Sequence, residues 1–419
     1  MLKRIEEFIS EKLRNHEKIK SFIKNVYQRF FWLISDKKKV VGNVSRISPN
    51  DNYEYFFGYY DKTPWCSSDR YMLCLRVKDA CCNPAPNEEA QIIVIDTSDK
   101  KSYKVVATTN AWNTQMGCRL QWLGPDFNKR IIYNCYREGK LCSVIYNIEN
   151  GEENEICYPV YDVSNDGTFA LSLDFARLHR MRPGYGYSNI TENQIDKLPN
   201  VPCIYRVDLI DNKLQPILTY KDLFNFETRD VMIDAEHKVN HIMINPSGTR
   251  FMVLHRWFAP PNSKKYTRLR TADCNGKNLY NLLDDNFTSH SCWKDNNHIL
   301  TFANKACKGK GYFMLTDLTS SCVNVLESLK IDGHPSYSPD GANIITDTYP
   351  NRERKQKIFL CKADDYTVKL LASIYTPFKY NSVLRCDLHP RWNNKSDMIC
   401  FDGTFEGKRG LYIVDNIKS

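Results

Sequence analysis

Histidine is scarce in this chain, and four of its nine copies occupy one position of a repeat. They are His241 in NHIMINPSG, His290 in SHSCWKDNN, His334 in GHPSYSPDG and His389 in LHPRWNNKS. Each stands three residues before an apolar or aromatic side chain: Ile244, Trp293, Tyr337 and Trp392. Two earlier units carry a cation there, Lys62 before Trp65 and Arg119 before Trp122. A repeat converts equal sequence position into equal spatial position, so the four imidazoles are expected to meet around one axis. A neutral imidazole is a metal ligand, and it is also a base near neutral pH. Three converging rings suit Mn²⁺, Zn²⁺ or a similar divalent ion. Such a centre stabilises the enolate-like charge of a uronate while the fourth histidine, or an arginine, takes the neighbouring proton, which is the logic of β-elimination. The alternative is that the rings only hydrogen-bond between strands.

The elements that must hold these residues are short strands in a period of roughly 40–50 residues. β-branched and aromatic runs are bounded by Gly, Pro, Asn and Asp turns such as SPDG. Seven units are counted, beginning near Asp61, Arg119, Tyr161, His241, His290, His334 and His389. Seven four-stranded sheets around an axis make an all-β, seven-bladed β-propeller. The seventh unit ends after its third strand, so the run at 40–47 is expected to supply the missing strand and close the ring. The organisation is therefore a helical segment at 1–36 followed by one propeller at 37–419. The longest irregular stretch, 175–200, falls between two strands of the third unit, and a loop of that length is usually functional or disordered.

In a propeller the link from the second to the third strand returns to the face where the inner strand begins. Those links are rich in charge: Arg177, His255, Arg256 and, on the approach to the last unit, Arg385 and Asp387. A formal net charge of +9 favours an acidic partner. The cations alternate with acids and lack the aromatic-basic repeat that stacks bases, which argues against nucleic acid. A carboxylated sugar polymer suits better, because Arg binds carboxylates through two hydrogen bonds. Trp112, Tyr185 and Tyr187 offer apolar contacts to sugar rings. Asp347 and Asp402 follow second strands and read as ligands, acids or loop caps.

Residues 1–35 hold eight Lys/Arg against four Glu, with apolar residues at helical spacing and Phe30, Phe31 and Trp32 at the end. This is a basic amphipathic helix, suited either to an anionic membrane surface or to a face of the propeller. No run is long enough to span a bilayer. Sixteen cysteines without a C-x-x-C pair read as reduced thiols. The expected location is the cytoplasm, at most peripheral to the inner membrane.

The stretches GHPSYSPDG and LHPRWNNKSDMICFDGTFEGKRGLYIVD resemble the TolB-like propellers and, among enzymes, the oligogalacturonate lyases. LDFARLHRMRPGYGY, TDTYPNRER and RCDLHPRW resemble propeller proteins of bacterial capsule and exopolysaccharide gene clusters, a likeness covering about residues 50–417. The lyase resemblance implies seven blades, a histidine-held metal at the axis, usually manganese, and β-elimination of short galacturonides. On that resemblance His334 and His389 match metal ligands, and His290 or His241 is the third ligand or the base. The lyases carry a Gln and a second His around the last ligand, where this chain has Cys386 and Arg391. The resulting assignment is His290, His334 and His389 for metal, and His241 with Arg119 for catalysis. Arg256, His255, Arg385, Asp387, Arg177 and Tyr185 are assigned to substrate. The alternatives are a non-catalytic propeller that binds polysaccharide or organises glycosyltransferases at the membrane and, less favoured, a transferase or epimerase.

Overall fold

A computed structural model describes residues 17–99, 102–192, 195–260, 264–306, 308–415 and 417. Seven sheets stand around a central axis, each a meander of antiparallel strands. Their inner strands are Glu54–Phe56, Gln121–Trp122, Asp162–Val163, Glu236–Ile244, Thr288–Trp293, Ser336–Tyr337 and Arg391–Trp392, numbered here as blades 1 to 7. The turns carry the expected chemistry; in blade 6, Gly341 follows Pro339-Asp340 at φ +73°. Middle strands are covered on both faces by neighbouring blades, so every residue of Phe169–Leu173 and Ile399–Gly403 is buried. Outermost strands are polar-edged, as in Glu153–Ile156, which shields their free edge.

Ring closure departs in one respect from the single strand expected over 40–47. Val44–Arg46 pairs with Gly410–Val414 and completes blade 7. Val40–Val41 turns away and pairs with Val368–Tyr375, adding a fifth strand to blade 6. Gly42, at φ +112°, makes the bend, and a Cβ there would fall 2.4 Å from the Leu371 carbonyl oxygen. One segment therefore straps two blades.

The expected N-terminal helix is present over Glu17–Ile34; its first half, 1–16, lies outside the described residues. It packs on the propeller beside blade 6. Gln28 is buried and donates to the Asn351 carbonyl at 3.1 Å. Trp32 meets Tyr375 and Phe378 at ring separations of 6.2 and 6.1 Å. The guanidinium of Arg352 lies 4.6 Å over Phe31. The opposite side of the helix leaves Ile19, Phe22, Val26, Phe30, Leu33 and Ile34 exposed. No helix among the described residues is long and apolar enough to cross a membrane. The stretch 175–200 is partly ordered by a helix, Phe175–Met181, capped by Asp174. All fifteen cysteines among the described residues are free.

Candidate active site at the propeller axis

The repeat register places the four histidines together. Ring centroids are 4.1 Å apart for His290 and His334, 4.3 Å for His334 and His389, and 5.8 Å for His241 and His290. The inner strands deform to aim them. His241 and His389 have φ of +57° and +46°, as does Arg119 at the same register with +55°. In blades 4 and 5 the strand pairing slips by a bulge at 240–243 and at 288–291, around His241 and His290. Left-handed non-glycine residues and bulges cost stability and re-aim side chains, so they concentrate at functional sites.

His334 and His389 are prepared as ligands. Nδ1 of His334 donates to Asp347 Oδ1 at 2.7 Å, and Nδ1 of His389 donates to the Gly58 carbonyl at 2.7 Å. Both tautomers are thereby fixed, with the lone pair on Nε2, and both Nε2 atoms are buried without a hydrogen-bond partner. Asp347 also accepts the backbone N–H of His334 at 2.9 Å and of His389 at 3.0 Å, locking the two blades to one carboxylate. A carboxylate or carbonyl behind a ligating imidazole is the usual support of a metal site. The third converging donor is Asp387. Ligand atoms of His334, Asp387 and His389 lie within 4.8 Å of one another. Two imidazoles and one carboxylate with open positions suit Mn²⁺, Fe²⁺ or Zn²⁺, so the residues present fit a resident divalent metal.

Charge at the centre is uneven. Burial, then the neighbouring His334 and Arg391, holds His389 well below its ordinary value. Burial opposes protonation of His334, but Asp347 outweighs it and raises this pKa. Burial and His334 push His290 down to about 4. Burial, then Arg256, holds His241 well below its ordinary value. Asp387 stays below the usual carboxylate range despite burial, because Arg385 pairs with it at 2.7 Å.

The other sequence-assigned residues divide into two groups. His290 faces the cluster, but its Nδ1 meets Asp332 at 3.1 Å and its Nε2 lies 3.5 Å from the Tyr349 hydroxyl. Asp387, assigned to substrate, takes the third-donor place given to His290. Arg256 and Tyr185 are at the axis mouth; Tyr185 lies 6.3 Å from His241. Arg385 is there too, 4.3 Å over Tyr349. Arg119, by contrast, is consumed by a buried bidentate pair with Asp61 and a bond to the Tyr161 carbonyl. Arg177 is buried against Glu192 and the carbonyls of His237 and Lys197. His255 alternates to the opposite side of its strand from Arg256 and bonds His237 at 2.9 Å. Trp112 and Tyr187 are core residues, bonded to the Glu88 carbonyl and to Asn134. Asp402 is a cap, accepting from Phe57 and Arg391. The two departures from the lyase motif do not ligate: Arg391 braces the carbonyls of Gly58 and Tyr59, and Cys386 is buried.

Several groups at the site had no place in the repeat argument. Tyr59 and Tyr60 enter the axis from the link between Glu54–Phe56 and Trp65. Tyr59 Oη lies 2.8 Å from His241 Nδ1, and Tyr60 bonds the Ser291 backbone. Tyr349 and Asp332 open onto a cleft of about 630 Å³ that also holds Lys310, Lys330, Lys357 and Phe359. The pair Tyr59-Tyr60, adjoining Asp61 in FGYYDK, was the signal available for the first two.

No protein-family model matches the sequence, and no curated protein matches it. Solved structures do. The chain is similar to an oligogalacturonate lyase from Vibrio parahaemolyticus at 13% identity and a TM-score of 0.63, covering 91% of this chain and 94% of that one. It is similar to an oligogalacturonate lyase in complex with manganese at 15% identity and a TM-score of 0.65, covering 91% and 95%. The β-propeller domain of the Trilobed protease from Pyrococcus furiosus aligns at 10% identity and a TM-score of 0.50, covering 87% and 96%. These likenesses place the chain among the seven-bladed β-propellers. At these identities they speak to the fold.

Proposed function

We propose that this protein is a metal-assisted lyase that cleaves an acidic oligosaccharide by β-elimination. The observation that carries it is the pair of buried imidazole nitrogens, Nε2 of His334 and of His389, each fixed in tautomer and left without a partner beside Asp387. The manganese-bound lyase that shares the fold supports it. A bound divalent ion would supply Lewis acidity at a uronate carboxylate. Around it, Arg256 and Arg182 hold anionic groups of the sugar, and Tyr185 presents a ring face to it. His241, oriented by Tyr59, takes the C5 proton; the C5–H electrons form the C4=C5 bond as the C4–O bond breaks, and the departing oxygen is then protonated. Burial first, and then the field of Arg256, holds the His241 pKa down, so this ring is a weak base in the unliganded protein. A substrate anion on Arg256 offsets that second part of the depression, so basicity rises when substrate is bound.

The test joins two measurements on purified protein: metal content, and ultraviolet absorbance of unsaturated product with a panel of oligouronides. Metal together with product from at least one acidic oligosaccharide is expected. Metal-free protein inert on the whole panel, after manganese is supplied, would overturn it.

The helix stripe of Ile19, Phe22, Val26, Phe30, Leu33 and Ile34, followed by exposed Lys37, Lys38 and Lys39, favours a second element of the same reading. It suits the surface of an anionic bilayer, with apolar side chains entering the interface and lysines at the headgroups. That placement suits work on surface polysaccharide at the cytoplasmic membrane.

A further inference from the structure

The mouth of the axis holds more positive charge than one uronate carboxylate can satisfy. Lys238 and Arg256 are directly opposed across adjacent strands of blade 4, and both side chains are buried. Like charges facing each other across a ladder destabilise a sheet. Buried charges are ordinarily paired. Here the pairing is missing among the described residues. Lys238 Nζ donates to the Met181 carbonyl at 3.1 Å and lies 5.3 Å over the Phe258 ring, with no carboxylate partner among the described residues. Arg256 has no carboxylate partner, and its Nε has no hydrogen bond. Arg182, next to Met181, rests on the Tyr185 ring at 3.6 Å and makes no ion pair. Lys265, two residue pairs further along the ladder, adds a fourth cation at the rim. Nearby acids do not close the balance: Glu236 is held by Arg180 and Asp387 by Arg385, which leaves Asp332, hydrogen-bonded to His290, as one anion against four cations.

The group behaves as one charged cluster. Burial, then Arg182 and Arg256, pushes the Lys238 ammonium down to about 6. Burial, then Arg182, pushes Arg256 down to about 10. Arg256 lowers Lys265. A cluster that weakens its own members is a cost to the fold unless a ligand neutralises it.

We infer that Arg182, Lys238, Arg256 and Lys265 form a binding site for a phosphate-bearing group, so that the saccharide taken by this face carries a phosphoryl substituent or phosphodiester in addition to the carboxylate at the metal. This rests on the function proposed above. A carboxylate offers two oxygens and one charge, which a single Arg satisfies bidentately. A phosphoryl group offers three oxygens and up to two charges, which matches an Arg fork with ammonium groups around it. Lys238 and Arg256 stand two to three residues up the strands from His241, ~7–10 Å at strand rise, about the reach of one neighbouring sugar.

Calorimetric titration at constant ionic strength tests this, using inorganic phosphate, glucose 1-phosphate, acetate and digalacturonate, with and without chelator. Phosphate is expected to bind at least ~30-fold tighter than acetate, by about 2 kcal/mol. Glucose 1-phosphate is expected to bind at least as well as phosphate, and both should persist after chelation. Arg256→Gln and Lys238→Met should each weaken phosphate ~10-fold or more. Lys238→Met should also raise the melting temperature, because it relieves repulsion; a merely structural lysine would lower it. The inference is overturned if phosphate binds no better than acetate, if its binding disappears with the metal, or if digalacturonate alone occupies the site. Cleavage of oligouronides without phosphate binding would defeat this inference and leave the lyase intact. Phosphate binding without cleavage of any oligosaccharide would do the reverse.

Discussion

Asp347 is the residue on which the most interactions at the axis converge. One carboxylate fixes the His334 tautomer and accepts the backbone N–H of both His334 and His389. Asp347→Asn keeps the size but offers one oxygen where two accept, and it puts an amide donor against an N–H. Manganese affinity, measured by titration of metal-stripped protein, is expected to fall ~10- to 100-fold, the usual cost of losing a supporting carboxylate. His389→Ala removes a donor itself and should leave no metal after dialysis. Gly333 stands behind this carboxylate: a Cβ there would lie 1.9 Å from the Asp347 carbonyl oxygen. Gly333→Ala should therefore lower both the melting temperature and the metal content, through backbone displacement.

At the scale of elements, a repeat register is readable because it is one-dimensional, and four histidines at one register do meet. What the register leaves out is anything delivered by an irregular link. Tyr59 and Tyr60 come from a break in the inner strand of blade 1, and Arg182 from the end of a seven-residue helix. Lys238 lies only three residues before His241, but cross-strand opposition to Arg256 appears only once the pairing is known. The register also leaves out what a neighbouring blade can claim. Arg119 occupies the histidine register, yet Asp61 from the neighbouring blade claims its guanidinium. The helix Glu17–Ile34 was legible as amphipathic, but not which side would face the propeller; the packed side is the one carrying Gln28, Phe31 and Trp32. Its other side makes a prediction of its own. Phe22→Asp with Phe30→Asp should abolish sedimentation with anionic vesicles and leave the melting temperature within about a degree, since both residues are exposed. Vesicle binding that survives this change would remove the helix stripe as the contact, and no vesicle binding by the unaltered protein would remove the bilayer as the partner.

For the whole molecule, buried neutral histidines tie stability to pH. Burial pushes His237 down to about 4, with its Nε2–H donating to the Met232 carbonyl and its Nδ1 facing His255. Burial likewise holds His241, His255 and His389 well below their ordinary value. Above about pH 6.5 these groups are neutral folded or unfolded, so stability is at its full value. As pH falls below that, the unfolded chain takes up protons first. His237 accounts for on the order of 3 kcal/mol of lost stability by about pH 4, and His241, His255 and His389 add to the loss in the same direction. Urea unfolding followed across this range should show a falling midpoint; a flat profile would mean that these rings are wetter than their packing shows.

The strap at the N-terminus has a further consequence for how the protein comes into being on the ribosome. Val40–Val41 and Val44–Arg46 emerge before every blade, yet their partners are Val368–Tyr375 and Gly410–Val414, translated long after them. The same two blades contribute His334, Asp387 and His389. During synthesis the first strands must wait unpaired, and the imidazole pair has no anchored geometry until the last blade has been released. Under the proposed function, metal capture therefore waits for blade 7, and a nascent chain short of it holds no assembled cluster.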